Sequence, residues 1–360
     1  MANITAGQSN SSTLFPILQP LSGLARMAAE ATHVADGHQI EFRAMEVRSI
    51  LNKTVSRRQR RFEWSINPYR GCEFGCQYCY ARYTHEFLAA KEPTGDGPDF
   101  RDPRTFERLI YMKENAAWLL EQELRRHDPA EEIALGTATD PYQPIERTAG
   151  ITRSLLEVFA RRSGLRLGIV TKSKLIERDI DLLREIASKN KLVLHLTITT
   201  PDNALARILE PRAPRPELRF AAVRKLREAG LTAGVMCSPL LPGITDTAEA
   251  LDRMAGLAAA ARASFFVASP LFLKSCSRPT FLSFVREHFP HLSADYAGRF
   301  EARDFAAPDY ARRLEGLVEQ ARRRHGLGRR SSDALLTHDA GAERRPPAAV
   351  GVERQAALFA

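Results

Sequence analysis

From about residue 63 to residue 269 the chain alternates short apolar runs with longer amphipathic stretches. The apolar runs, at 65–69, 132–135, 165–170, 192–198, 232–236 and 264–268, are each of strand length. Between them apolar residues recur at helical spacing over 106–126, 152–162, 177–187, 217–228 and 247–261. A strand and a helix in every roughly 25–40 residues predict βαβ repeats around a parallel sheet. Gly164 and Gly230 stand just past helical stretches, where a C-terminal cap belongs. Beyond the sixth run the pattern turns helical, at 280–289 and 309–325. Residues 1–40 are Ser- and Ala-rich without a sustained period and read as a loose extension. Residues 326–360 carry Arg-Arg, Pro-Pro and Gly and read as a disordered tail. The stretch 201–216 reads as a proline-rich connection. One α/β domain with appendages is the simplest account.

Composition sharpens this only a little. With 360 residues, 44% hydrophobic and 26% charged, the chain is neither collagen-like nor wholly disordered, and it is long enough for a sizeable core. No apolar run approaches bilayer length, and residues 1–19 lack a basic start followed by an apolar block, so a cytoplasmic protein is expected. Of the net charge of +9, most sits in two runs: Lys53, Arg57, Arg58, Arg60 and Arg61, then Arg322, Arg323, Arg324, Arg329 and Arg330. Such runs either steer a phosphate-bearing substrate or are solvated helix ends.

The densest chemistry lies in residues 67–82, Asn-Pro-Tyr-Arg-Gly-Cys-Glu-Phe-Gly-Cys-Gln-Tyr-Cys-Tyr-Ala-Arg, where Cys72, Cys76 and Cys79 are spaced C-x3-C-x2-C. Thiolates suit iron–sulfur clusters, and short spacings let one loop wrap a compact group. Gly71 and Gly75 permit tight turns and close backbone approach. A four-iron cluster held wholly by protein wants four cysteines. Cys237 and Cys276 each lie at the end of a distant strand, so one iron is left open for chemistry. A structural zinc on the three thiolates plus His85 is the alternative, although such sites usually come as paired C-x2-C hooks.

C-x3-C-x-aromatic-C is the cluster motif of the radical S-adenosylmethionine (SAM) enzymes. The longer string resembles the branch of spore photoproduct lyase and its DNA-repair photolyase-like relatives, over about residues 61–275. The resemblance implies a partial (β/α)6 TIM-type barrel of parallel strands as a radical SAM core at 61–275. Around it would lie an N-terminal extension, partly disordered, at 1–60, a C-terminal helical segment at 276–326 and a disordered tail at 327–360. It implies a [4Fe-4S] cluster on Cys72, Cys76 and Cys79, with SAM on the fourth iron. It implies reductive cleavage of SAM to methionine and a 5′-deoxyadenosyl radical that abstracts hydrogen from a substrate, with electrons from a flavodoxin- or ferredoxin-type reductant. DNA is the substrate the branch suggests. A non-nucleic-acid substrate, or a non-catalytic iron–sulfur or zinc module, are the competing readings.

The ends of the six runs give separate support, since working residues gather at the C-terminal ends of parallel strands. These ends hold Thr137, Thr139, Asp140 and Glu146, then Lys172, then Thr197 and Thr199, then Cys237, and finally Lys274. The resemblance assigns Thr139 and Thr199 to hydrogen bonds with SAM and Lys172 to its carboxylate, with Asp140 and Glu146 as candidates for ribose or substrate. The competing reading of the threonines is strand residues and helix caps. Seven of the 28 aromatics fall within 62–83. Tyr78 and Tyr80 match motif tyrosines linked to a hydrogen-atom relay, and shielding of the cluster is their simpler use. Spore photoproduct lyase places a hydrogen-donating cysteine at the end of the second strand, where this chain has Thr137-Ala138-Thr139. That counts against the same repair reaction. Cys276, after the sixth run, is the other thiol within reach of the same cavity, and Cys237 reads as a small core residue. Residues 355–359, Gln355 to Phe359, resemble the peptides that dock bacterial repair proteins on the DNA polymerase sliding clamp, with Leu and Phe as anchors.

Overall fold

Five of the six apolar runs each form a strand of one mainly parallel sheet, and the first, 65–69, is divided between a strand of that sheet and a strand of a second one. The computed structural model describes residues 23–37, 40–54, 62–89 and 98–329. Its strands are β1 (Thr32–Gly37), β2 (Ile40–Met45), β3 (Asn52–Lys53), β4 (Trp64–Ile66), β5 (Tyr69–Arg70), β6 (Leu109–Lys113), β7 (Glu132–Leu135), β8 (Arg166–Thr171), β9 (Lys191–Thr197), β10 (Ala233–Leu240) and β11 (Phe266–Pro270). The main sheet runs β11-β10-β9-β8-β7-β4-β3. From β4 to β11 neighbours are parallel and follow chain order, with Ile66 opposite Leu135 and Ile169 opposite Leu194, and β3 pairs antiparallel on the β4 edge. Helices Ile151–Ala160, Ile180–Lys189, Pro216–Glu228 and Ala248–Ala260 make the crossovers. A parallel sheet wound in sequence by helices is the arrangement of a partial (β/α)6 barrel. Covered on both faces, β9 is buried at every position after Lys191, which is why its sequence is a continuous apolar run. Each fully buried Leu or Phe of this core, such as Leu194 or Phe266, contributes roughly 1.5–3 kcal/mol.

The expected helix over 106–126 is instead three elements: a helical turn at Thr105–Arg108, the strand β6, and a helix at Ala116–Glu123. All five residues of β6 are buried, so the strand shows no alternation to set it apart from a helix. Its backbone pairs with β2 on one side and β5 on the other, in a second sheet of order β1-β2-β6-β5. Asn115 ends it by exchanging two hydrogen bonds with the backbone of Val47, at 3.1 and 2.8 Å. The helix Gly23–Ala29 and β1 stand where the sequence shows no period.

A second apolar cluster lies beside the main core. Phe74, Cys76 and Tyr78 pack there with Leu209, Leu241, Leu271 and Leu273. Phe281, Phe284, Tyr296 and Phe300, from helices Arg278–His288 and Ser293–Phe300, complete it. The cysteine loop is thus clamped between the sheet and the C-terminal helices. Of the two basic runs, Arg323 and Arg329 pair with Glu319 at 2.8 and 3.1 Å and Arg324 with Asp252 at 2.8 Å, so these described members of the second run are ion-paired at and just past the end of the helix Pro308–Arg324. Arg57, Arg58, Arg60, Arg61 and Arg330, and the clamp-like peptide at 355–359, lie outside the described residues. Among the described residues no helix is long and apolar enough to cross a membrane.

Candidate active site

The short strand β5 ends one residue before Gly71, and the three cysteines follow on the turn that begins there. Gly71 has φ +92°, and a Cβ on it would lie 2.8 Å from the carbonyl oxygens of both Phe106 and Leu109. The loop is therefore seated directly on the β6 segment, and the Cys72 amide donates to Phe106 O at 3.0 Å. Arg82, almost fully buried, donates to Cys76 O at 3.0 Å and Pro103 O at 2.6 Å. From the opposite side Gln143 accepts from the Glu73 amide at 2.8 Å, and the Glu73 carboxylate accepts from the Ile145 amide at 2.7 Å. Gln77 N donates to Leu209 O at 2.9 Å and Arg212 N to Phe74 O at 3.3 Å. Ser277 Oγ donates to Cys79 O at 2.6 Å. Four segments of the chain thus fix one loop.

Burial pushes the Cys72 thiol well above its ordinary range, with Asp140, Cys76 and Cys79 adding to it, and lifts Cys76 to about 12. Buried thiols of this kind become ligands when a cationic centre supplies the countercharge. No three His, Cys, Asp or Glu among the described residues are grouped to hold a single metal ion. A four-iron cluster asks for less, because each thiolate binds its own iron. His85, the fourth ligand of the zinc alternative, faces elsewhere: its Nε2 lies 3.1 Å from Leu109 O and its ring packs on Phe106 and Tyr111. The three cysteines on one fixed loop fit an iron–sulfur cluster better than a Cys3His zinc.

The rim residues divide into two groups. Thr139 donates to Gly71 O at 2.5 Å, which ties the end of β7 to the cysteine loop. Asp140 accepts from Thr171 Oγ1 at 2.7 Å and from the amides of Lys172 at 2.7 Å and Tyr142 at 2.9 Å, so it braces the β8 end. Glu146 is fully buried and accepts from Tyr69, from the Thr152 amide at 2.8 Å and from Arg178 at 2.7 Å. Lys172 is the outward-acting member. Its Nζ sits 5.7 Å from the centroid of the Tyr78 ring, and although burial disfavours its charge, Cys76 and Glu210 hold its pKa above the ordinary value.

Tyr78 and Tyr80 part company. The Tyr78 hydroxyl donates to Glu210 and lies 2.9 Å from Thr199 Oγ1, which donates to the same carboxylate oxygen at 3.0 Å. Glu210 pairs through its other oxygen with Arg219 at 2.5 Å, both side chains nearly fully buried. Tyr80 instead donates to Thr137 O at the end of β7 and packs its ring on Phe272 at 4.8 Å. Cys237 is a core residue, 3.7 Å from Thr199 O and pushed up to about 12 by burial. Cys276 is half-buried beside Ser277, the residue that holds Cys79 O. The sequence reading missed Glu210, Arg219 and Gln143. One signal was present: Arg219 interrupts the apolar stripe Pro216, Ala222, Val223 and Leu226 of its helix, and a charge there calls for a buried partner.

A spore photoproduct lyase structure aligns over 79% of both chains with a TM-score of 0.56 at 17% identity, as does one complexed with dinucleoside spore photoproduct at 16% identity, and these show the shared fold. An uncharacterized protein of Mycobacterium tuberculosis is 34% identical over 280 residues, 78% of this chain and 79% of that protein. An uncharacterized protein of Methanocaldococcus jannaschii is 29% identical over 184 residues, 51% of this chain and 62% of that protein. The family model of the Radical SAM superfamily matches residues 66–255. That span is more than half of the chain and runs from the end of β4, through the three cysteines, into the helix after β10: the chain belongs to the radical SAM superfamily of enzymes.

Proposed function

We propose that Cys72, Cys76 and Cys79 hold a [4Fe-4S] cluster, that SAM binds beside it against Lys172, and that the enzyme cleaves SAM reductively to act on a nucleic acid in the cytoplasm. The observation that carries this is the seating of all three cysteines on one fixed loop at the C-terminal edge of the parallel sheet, with the Lys172 ammonium over the ring between two of them. When bound, the cluster supplies one electron from a flavodoxin- or ferredoxin-type reductant to break SAM into methionine and a 5′-deoxyadenosyl radical. The chain's own residues do the rest. Lys172 orients a carboxylate by charge. The hydroxyls of Thr139 and Thr199 stand at the neighbouring strand ends, and Asp140 holds the backbone that presents Lys172. Tyr80 packs its ring on Phe272 beside Cys79, and with its hydroxyl on the β7 end it is the tyrosine this reading gives to a hydrogen-atom relay. Tyr78 positions the loop through Glu210.

The spore photoproduct lyase complex, of like fold, binds a dinucleoside lesion, which supports a nucleic-acid substrate here. The absence of a cysteine at Thr137–Thr139 argues for a different reaction on it. The peptide at 355–359 would add docking to the sliding clamp and raise the local concentration at DNA. The test is anaerobic reconstitution with iron and sulfide, reduction in the presence of SAM, and assay for 5′-deoxyadenosine beside a Cys76→Ala control. Deoxyadenosine from the parent chain alone is the expected result. A stable zinc protein, or a cluster that leaves SAM intact, overturns the proposal.

A further inference from the structure

We propose that Glu210, held in the interior by Arg219, tunes the redox potential at the cysteine loop: its charge makes the bound cluster harder to reduce and a stronger one-electron donor once reduced. The proposal rests on the cluster reading above and adds a residue to it that neither the three cysteines nor Lys172 can replace.

Residues 209–212 lie along the loop that carries the cysteines. The amide of Gln77, next to Cys76, donates to Leu209 O at 2.9 Å, and the Arg212 amide donates to Phe74 O at 3.3 Å, one contact on either side of Glu210. The Glu210 side chain is buried, and its Oε1 accepts from the Tyr78 hydroxyl and from Thr199 Oγ1 at 3.0 Å. Its Oε2 pairs with Arg219 at 2.5 Å. Arg219 is anchored in turn, donating from Nε to Pro214 O at 2.7 Å and from a terminal nitrogen to Thr197 O at 3.1 Å. The pair is therefore a fixed dipole whose negative end meets Tyr78, the residue between Cys76 and Cys79. Phe74, Cys76, Tyr78 and Leu209 share one apolar cluster, so little water stands there to screen the charge. The field reaches the neighbouring strand ends. Against burial, Glu210 joins Cys76 in holding Lys172 above its ordinary pKa, and it adds to burial in pushing Cys237 up to about 12.

Local structure calls for neither charge. Glu210 follows directly on the helix Asn203–Leu209, and a helix C-terminus favours a cation. Arg219 is the fourth residue of the helix Pro216–Glu228, and a helix N-terminus favours an anion. Stability does not call for them either, since apolar residues in place of a buried pair are often as stable. What the pair supplies and apolar residues do not is a fixed charge beside the loop. The potential of an iron–sulfur cluster follows the charge and solvent exposure around it, and a buried anion opposes the arrival of an electron. Breaking a sulfonium carbon–sulfur bond with one electron needs a strong donor. A charge that holds the potential down serves that cleavage.

The test is a redox titration of the reconstituted full chain, with the reduced cluster read by electron paramagnetic resonance at a series of set potentials. Glu210→Gln removes the charge at nearly constant shape. It is expected to favour the reduced form about tenfold at a fixed potential, a rise in midpoint of about 59 mV for one electron. Glu210→Asp keeps the charge, and Tyr78→Phe keeps the carboxylate while cutting its hydrogen bond to the loop, so both midpoints are expected to stay close to the parent's. Where Glu210→Gln strands Arg219 and holds too little cluster to titrate, Glu210→Met with Arg219→Met gives the readout. Its rise is expected to be smaller, because the opposing charge leaves with it. The inference is overturned if the midpoint moves in neither neutral variant. It is overturned equally if Glu210→Asp moves the midpoint as far as Glu210→Gln does, which would make the role one of fit. A parent chain that binds no cluster overturns the reading above and this inference with it. Deoxyadenosine from the parent chain, beside neutral variants of unmoved midpoint, removes the tuning role and leaves the radical SAM reading standing.

Discussion

Tyr78, between two of the three cysteines, donates its hydroxyl to Glu210, whose second oxygen pairs with Arg219 at 2.5 Å in the interior. The cysteine loop is thereby tied to a buried ion pair that belongs to the connection between β9 and β10. Burial alone would raise the Glu210 carboxyl, and Arg219 and Lys172 hold it below its ordinary value, so the pair stays charged.

Removing one partner strands the other charge in the interior. Glu210→Ala is expected to destabilise the fold by ~3–5 kcal/mol, measured by urea unfolding, and to lower the iron bound per chain after reconstitution. Replacing both partners, Glu210→Met with Arg219→Met, is expected to recover most of the stability, because it buries no lone charge. Single and double variants of equal stability would show that the pair has no such role.

The sheet was legible because its central strands, β9 above all, are buried on both faces and leave continuous apolar runs, and Glu217–Glu228 read as a helix differs from Pro216–Glu228 by one residue. The cysteine loop was legible from spacing. What stayed hidden was decided by tertiary partners. Strand β6 is a strand only because β2 and β5 flank it. Asp140 and Glu146 looked like site acids from their place after β7, yet their oxygens are met by donors of the fold itself. Glu210 lay in a stretch read as a plain connection, and nothing local in the sequence joins it to Tyr78, 132 positions away.

Gly71 should be far less replaceable than a glycine of similar φ in open space. Gly164 has φ +79° with nothing within 4 Å of a built Cβ, so Gly164→Ala carries only the left-handed cost of about 1–2 kcal/mol. Gly71→Ala adds contacts at 2.8 Å to two backbone oxygens, which cannot yield as a side chain does. It is expected to lose at least about twice as much stability by denaturant titration, as overpacking adds ~1–3 kcal/mol, and to lose cluster binding. Equal losses for the two would mean that the loop is free to move away from Phe106 and Leu109.

Lys172 should control SAM affinity and not the fold. Lys172→Gln keeps the backbone amide that Asp140 accepts and removes only the ammonium over Tyr78. A charge-assisted hydrogen bond is worth about 1.5–3 kcal/mol, so the dissociation constant for SAM is expected to rise at least about tenfold by calorimetry, with the thermal midpoint little changed. Unaltered SAM affinity would remove Lys172 from the site.

His85 sets an acid limit on stability. Burial, with Arg70 nearby and against the help of Leu109 O, lowers its pKa from 6.5 to about 3. Between those values the unfolded chain binds a proton at this residue that the folded chain refuses. Stability should therefore fall as pH drops from 6.5 toward 3, by about 1.4 kcal/mol for each unit crossed. Carboxylates titrate in the same window, so the measurement is the difference between the parent chain and His85→Phe, unfolded by urea at a series of pH values. The ring already packs among Phe100, Phe106 and Tyr111, where a phenyl group fits the surroundings. The variant's curve should be flatter across this window, with the gap between the two closing above pH 6.5, where the imidazole is neutral in both states. Parallel curves would mean that the folded protein admits the proton, and that the segment covering His85 opens in acid.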